Sequence, residues 1–300
     1  MIQKEYGLYN ITVSNDIISR VKALVLESTG KAFPFYHGQH LPSPLLPGKM
    51  LRTAFAARIS EHASWLLNID TGVNACTAVE LVHTASLLHD DVIDRGLIRR
   101  GVKTFWKAIN PSVAVLTGDL LLCVALDLIQ KTEKGRYSEL FTDKVSEVCR
   151  AEVEQELVFR GKELDESICL RLAREKTGPL FAITGKVCGG DNQDLSSALE
   201  ESGYLVGTAY QLADDLLDII GDENVCGKTL GTDFGRGKST LPHILENPQE
   251  IIDKISDLCN SAQERLDEWP DAEKGLENFI ECDLGPVFNR ISKGIKVMSC

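Results

Sequence analysis

Six carboxylates fall into two matching clusters. Asp90-Asp91-Val92-Ile93-Asp94 and Asp214-Asp215-Leu216-Leu217-Asp218 share one spacing and start 124 residues apart. On a helix the first and last carboxylates of each lie on one face, about 6 Å apart along the axis. Three like charges within a turn repel unless a cation or a proton neutralises them. Each cluster closes an apolar run, Leu87-Leu88-His89 and Tyr210-Gln211-Leu212-Ala213, which places it at the end of a buried helix face. Hard oxygen donors in this pattern suit Mg²⁺, which keeps several waters and binds one or two carboxylates together with substrate phosphates. One such cluster reads equally well as a solvated acidic face, and the matching pair argues against that.

Basic groups supply the complement. Arg99 and Arg100 follow the first cluster by five residues, and Lys49 and Arg52 are one turn apart. Lys228 and Lys238 lie in a glycine-rich stretch, Gly221 to Pro242. His83 is seven residues before Asp90, two turns back on the same face. Carboxylates that bind metal ions can hold one diphosphate through them, and guanidinium forks can hold another directly.

Helices must position these groups. Apolar residues recur at helical spacing through most of the chain, and strand-like alternation is scarce. The pattern predicts a first amphipathic helix around Ile17, Val21, Leu24 and Val25, and a long buried one from Thr77 to Asp94. Further helices are expected over Ser112 to Thr132, Tyr137 to Arg160, Glu166 to Cys188 and Asp194 to Gly221. Two irregular stretches, His37 to Gly48 and Gly221 to Pro242, resemble functional surface loops rather than linkers. One all-α domain over residues 1–300 is the simpler organisation.

Composition narrows the classes. The chain has 300 residues, 43% hydrophobic and 25% charged, with a formal charge of −12, so a sequence-independent nucleic-acid surface, which needs a basic footprint, is not expected. The most apolar stretch, Val113 to Ile129, carries Gly118, Asp119 and Asp127, and reads as a core helix rather than an integral membrane segment. Nine cysteines without a C-x-x-C pair argue against zinc. With no signal peptide recognised, they favour reduced thiols in a cytoplasmic compartment.

From Gly48 to Pro242 the residues are similar, in order, to those of the trans-isoprenyl diphosphate synthases, the polyprenyl synthetase family. The matching elements are Gly48-Lys49-x-x-Arg52, Glu80 to Asp94, Arg99-Arg100-Gly101, Gly118-Asp119, Lys176-Thr177, Gln211 to Asp218 and Gly237-Lys238-Ser239-Thr240-Leu241-Pro242. Met50 and Thr53 stand where arginine and proline are common, and Lys293 to Lys296 is a weak version of a basic C-terminal tail. The resemblance implies a bundle of long helices around a deep central cavity, a homodimer, and condensation of isopentenyl diphosphate with an allylic diphosphate. It assigns three Mg²⁺ ions to Asp90, Asp94 and Asp214, with Asp91, Asp215 and Asp218 in support. It places Arg99, Lys176, Lys228 and Lys238 on the allylic diphosphate. Lys49, Arg52, His83 and Arg100 go to isopentenyl diphosphate, and Thr177 and Gln211, with Lys176, flank the reacting carbons.

Product length is expected to depend on the residues four and five before Asp90, Ser86 and Ala85. Both are small where bulky aromatics would stop growth, so a product beyond C15 is expected; otherwise Phe141 or Leu126 makes the floor. A class I terpene cyclase shares the ionisation chemistry but needs no isopentenyl diphosphate site. A non-catalytic subunit of a heteromeric synthase tends to lose aspartates, and this chain keeps all six. A hydrolase of small phosphates would need a water-activating base that is not evident.

Overall fold

The computed structural model describes residues 2–34, 45–62, 68–221, 237–245 and 247–298. The remaining residues, Lys228 among them, lie outside the described residues, as do the side chains of Lys293 and Lys296. The long helices are α1 (Ile2–Ala32), α2 (Leu51–His62), α3 (Ile69–Ile93), α5 (Pro111–Lys131), α6 (Ser138–Glu154), α7 (Glu166–Cys188) and α8 (Gln193–Ile220). A short α4 (Phe105–Ala108) precedes α5, and α9 (Leu241–Ile244), α10 (Pro248–Glu264), α11 (Pro270–Phe279) and α12 (Gly285–Met298) complete the chain. The fold is all-α, as the periodicity implies.

Local chemistry starts several of these helices where they begin. The side chains of Asn68, Asn110, Asp165 and Asn192 each accept a hydrogen bond from a backbone N–H in the first turn of α3, α5, α7 and α8. Each such cap contributes about 0.5–2 kcal/mol. Proline at the start of α5, α10 and α11 fits a position whose N–H has no helical partner.

Among the described residues the only strands are β1 (Ile98–Arg99) and β2 (Val102–Lys103), an antiparallel pair closed by Arg100 and Gly101. Both turn residues have positive φ, 55° and 75°, which matches a tight two-residue hairpin turn. The turn between α3 and this hairpin is pinned at Gly96, whose carbonyl accepts from Thr104 Oγ1 and Trp106 Nε1, both at 2.7 Å.

Helices α7 and α8 make the tightest pairing. A Cβ on Gly207 would stand 2.7 Å from Gly178 Cα, so the two backbones meet where only glycine fits. That approach brings the functional stretches of both helices together. Beside it Phe55, Phe181 and Phe279 from α2, α7 and α11 form an edge-packed cluster, with centroids 5.4–6.2 Å apart. Rings in such tilted arrangements gain about 0.5–1.5 kcal/mol per pair beyond their burial.

Helix α5 departs from expectation. It is long and apolar enough to cross a membrane, yet only 33% of its most apolar window is buried. Its inner face packs on α3 through Ala114, Leu121 and Ala125, while Val115, Leu116 and Leu126 are exposed. It is a core helix on one side only. Apolar composition on every face cannot reveal which side a neighbour will cover.

Candidate active site

The two aspartate clusters form the C-terminal turns of α3 and α8, and both line one cavity of about 590 Å³. A helix C-terminus carries partial negative charge and favours cations. Here each such end bears three carboxylates and no basic residue in its last turn. The repulsion shows at Asp90, whose pKa is pushed up to about 7 by burial first and by Glu152 and Asp94 next, against the pull of Lys176 and Lys238. Asp94 ends the helix, its N–H donating to the Asp90 carbonyl at 2.6 Å, and Arg95 follows at φ 49°.

The donors, hard carboxylate oxygens, suit a divalent cation by type. Among the described residues no three His, Cys, Asp or Glu side chains already converge as a metal cluster. Mg²⁺ itself commonly takes one or two carboxylates and completes its shell with phosphate and water.

The middle aspartates are committed elsewhere. Asp91, 3% exposed, accepts from Arg99 Nε at 2.9 and 3.1 Å, and Arg99 Nη2 adds a contact of 2.8 Å. Burial raises the Asp91 pKa and this guanidinium counteracts it. Asp215 accepts from Gln211 Nε2 at 2.7 Å, and Gln211 Oε1 in turn accepts from Thr177 Oγ1 at 2.5 Å. A relay of hydrogen bonds therefore ties α7 to the second cluster.

Lys176 is the central cation. Its Nζ donates to Gln155 Oε1 at 2.8 Å and pairs with Glu152 at 2.9 Å. Burial alone would lower its pKa, but Glu152, Asp90 and Asp215 raise it well above the usual lysine range. The ammonium stays charged. Glu152 and Gln155 sit at the end of α6, where the helix widens into a π-turn over Gln155–Phe159, a feature frequent at functional sites.

A second cationic group lines the same cavity. Arg52 and His83 line the cavity with Lys49 and Arg100. Arg100 extends from the hairpin tip and donates from Nη1 to the Leu46 carbonyl at 2.7 Å. Its guanidinium lies over Gly48, where a Cβ would stand 2.3 Å from Nη2. Arg52 is 7% exposed, stacks 5.2 Å over Phe181, and its Nε has no hydrogen-bond partner within the protein. Burial, followed by Arg52, Arg100 and Arg99, holds the His83 pKa well below its usual value, so at neutral pH His83 is a neutral imidazole.

Placement agrees with the sequence for all the aspartates, for Lys49, Arg52, His83, Arg99, Arg100, Lys176, Thr177, Gln211 and Lys238, and for Ser86, which line this one cavity. Lys228 is not among the described residues. Ala85 differs: it is 0% exposed and does not line the cavity. Five residues of helix turn its side chain about 140° from that of Asp90, whereas Ser86, four residues away, keeps the same face. Leu126 is 42% exposed on the outer side of α5, so it cannot form a floor.

Sequence reasoning missed Glu80, Glu152, Gln155, Glu156 and Arg290. Glu80, buried in the cavity wall, accepts from Thr53 N–H and Oγ1 at 3.3 and 2.9 Å and neighbours Arg52. Arg290 lines the cavity from α12. Its position three residues before Lys293 was the available signal. Glu152 and Gln155 gave none beyond helical spacing.

Residues 39–270 match the sequence model of the polyprenyl synthetase family. An octaprenyl diphosphate synthase of Haemophilus influenzae is 34% identical over 57% of this chain, and the match spans 53% of that protein. A geranylgeranyl diphosphate synthase of Methanosarcina mazei is 32% identical over 78% of this chain and 72% of its own length. A crystal structure of a Caulobacter crescentus polyprenyl synthase, complexed with calcium and isoprenyl diphosphate, superposes with a TM-score of 0.79. It is 26% identical, over 92% of this chain and 96% of that one.

Proposed function

The chain belongs to the polyprenyl synthetase family, and on that premise we propose that it condenses isopentenyl diphosphate with an allylic diphosphate to give a longer all-trans prenyl diphosphate. One observation carries the reading: the aspartates of both clusters and a further cationic set, Lys49, Arg52 and Arg100, line a single cavity. A terpene cyclase needs only the first. The whole chain is read as one catalytic domain.

Asp90, Asp94 and Asp214 would hold the metal, with three Mg²⁺ ions as the finer expectation. Bound there, Mg²⁺ would supply charge stabilisation for the leaving diphosphate. Arg99, oriented by Asp91, and Lys176, oriented by Glu152 and Gln155, face that same diphosphate and stabilise it as the allylic C–O bond breaks. Lys49, Arg52, His83 and Arg100 hold isopentenyl diphosphate beside the allylic cation, which its double bond attacks. Neutral His83 contributes a hydrogen bond rather than a charge. The departing diphosphate is the base nearest the proton that must leave. Binding measurements test the two-site reading. A non-ionisable thio analogue of the allylic diphosphate is expected to bind only with Mg²⁺, and isopentenyl diphosphate to bind with or without it. Equal metal dependence of both would remove the second site.

For product length, α6 supplies the proposed floor in place of α3. Glu152 marks the polar end of the cavity, Val148 lines its wall one turn away, and Phe141, two turns further and on the same face, is 1% exposed. Phe141 lies about 10 Å beyond Val148. With Ser86 small, growth past C15 down to this ring is the proposed outcome. Phe141→Ala should lengthen the main product by at least one C5 unit, read by mass spectrometry; an unchanged product would place the floor elsewhere.

The exposed apolar residues Val115, Leu116 and Leu126 on α5, with Val153 and Leu157 near the end of α6, form the proposed face for a second copy in a homodimer. The seven described cysteines are all free thiols, in keeping with the proposed cytoplasmic location.

A further inference from the structure

Lys238 stands where a metal ligand is expected to be open. Its Nζ is 2.9 Å from Asp94 Oδ1 and 3.2 Å from Glu156 Oε1, and the residue is only 7% exposed. We propose that Lys238 is a resident counter-cation on Asp94, and that Glu156 is the positioning residue that takes the ammonium when Asp94 turns to a metal. The inference rests on Asp94 being a metal ligand, as proposed above.

Charge sets the two occupants against each other. An ammonium 2.9 Å from Asp94 Oδ1 and a Mg²⁺ about 2.0–2.1 Å from an oxygen of the same carboxylate repel each other strongly at this range, so metal binding drives the ammonium away. A buried ammonium cannot withdraw to water and needs another anion within reach. Glu156 supplies it. Its Oε1 is buried and makes no well-directed hydrogen bond, although Lys238 is near. Its other oxygen accepts from Arg160 Nη1 at 2.7 Å, which fixes the carboxylate.

The backbone around Lys238 is tied to the same end of α6. Gly161 N–H donates to the Gly237 carbonyl at 2.7 Å, and Ser239 Oγ donates to the Lys162 carbonyl at 3.1 Å. Gly237 has φ 71°, and a Cβ on it would stand 3.1 Å from Gly161. With the main chain held, the exchange needs only a movement of the lysine side chain. No bond is made or broken beyond these ion pairs.

The test is Mn²⁺ binding to the purified full chain without substrate, followed by paramagnetic resonance. Lys238→Met is expected to tighten Mn²⁺ binding about tenfold by removing a charge-assisted competitor. Glu156→Gln should weaken it several-fold, because Lys238 then settles on Asp94. The double variant should behave as Lys238→Met, since Glu156 acts only through the lysine. Unchanged or weaker binding in Lys238→Met would overturn the proposal. So would a Glu156→Gln effect that persists without the lysine. Asp90→Asn separates the two levels: if it binds Mn²⁺ as the parent does, the metal reading itself fails. Thermal unfolding of each variant shows whether it folds.

Discussion

Asp90→Ala or Asp214→Ala is expected to lower turnover by about three to four orders of magnitude, several kcal/mol of transition-state stabilisation, while the fold survives. The electrostatics of Asp90 give the second half of that expectation. Its pKa in the folded chain, about 7, lies above the ordinary 3.8. An acid whose folded pKa is raised favours the fold while protonated. Without metal, that contribution is intact below about pH 4 and is lost as pH rises through about 7. Removing the carboxylate removes the penalty. Metal-free Asp90→Asn should therefore unfold at least as high in temperature at pH 8 as the parent chain, while losing activity. A variant that is active, or that collapses in stability at pH 8, would contradict the role given to Asp90.

Lys176→Met is the second large effect. It deletes an ammonium that faces the departing diphosphate, a loss of about 10²–10³-fold in turnover by comparison with single donors in other anion-stabilising sites. It also strands Glu152 and Gln155, both hydrogen-bonded to Lys176. Because Lys176 lowers the Asp90 pKa, its removal raises that pKa further. A proton then competes with metal at higher pH. The pH at which Mn²⁺ binding reaches half its plateau should move upward in Lys176→Met relative to the parent, and a downward shift or none would separate Lys176 from the carboxylates. A lysine that merely packed between helices would leave this midpoint alone.

Helical spacing carried much of this arrangement. The spans of α5, α7 and α8 follow from apolar recurrence, and α7 runs over Glu166–Cys188 as the periodicity predicts, whereas α3 begins at Ile69, eight residues before the expected Thr77. His83 and Ser86 share a face with Asp90 because seven and four residues nearly complete whole turns. Ala85, five residues away, is instead turned toward the packed interior.

What spacing could not supply was the partner across a helix interface. That Lys176 reaches back to Glu152 on α6 depends on how distant segments pack. The pairing of Lys238 with Glu156 spans 82 residues and is of the same kind. Nor did composition reveal that half of α5 would face outward. Helix periodicity specifies a face, and tertiary packing decides what meets it.

Condensation itself is the most direct measurement. The purified chain, alone with Mg²⁺, deuterium-labelled isopentenyl diphosphate and unlabelled geranyl or farnesyl diphosphate, would be sampled by mass spectrometry. The account predicts a series of prenyl diphosphates, each heavier than the last by one labelled C5 unit and extending beyond C15, abolished by chelation of the metal. Release of unlabelled alcohol or hydrocarbon with no C5 additions, or no reaction until another subunit is supplied, would contradict it.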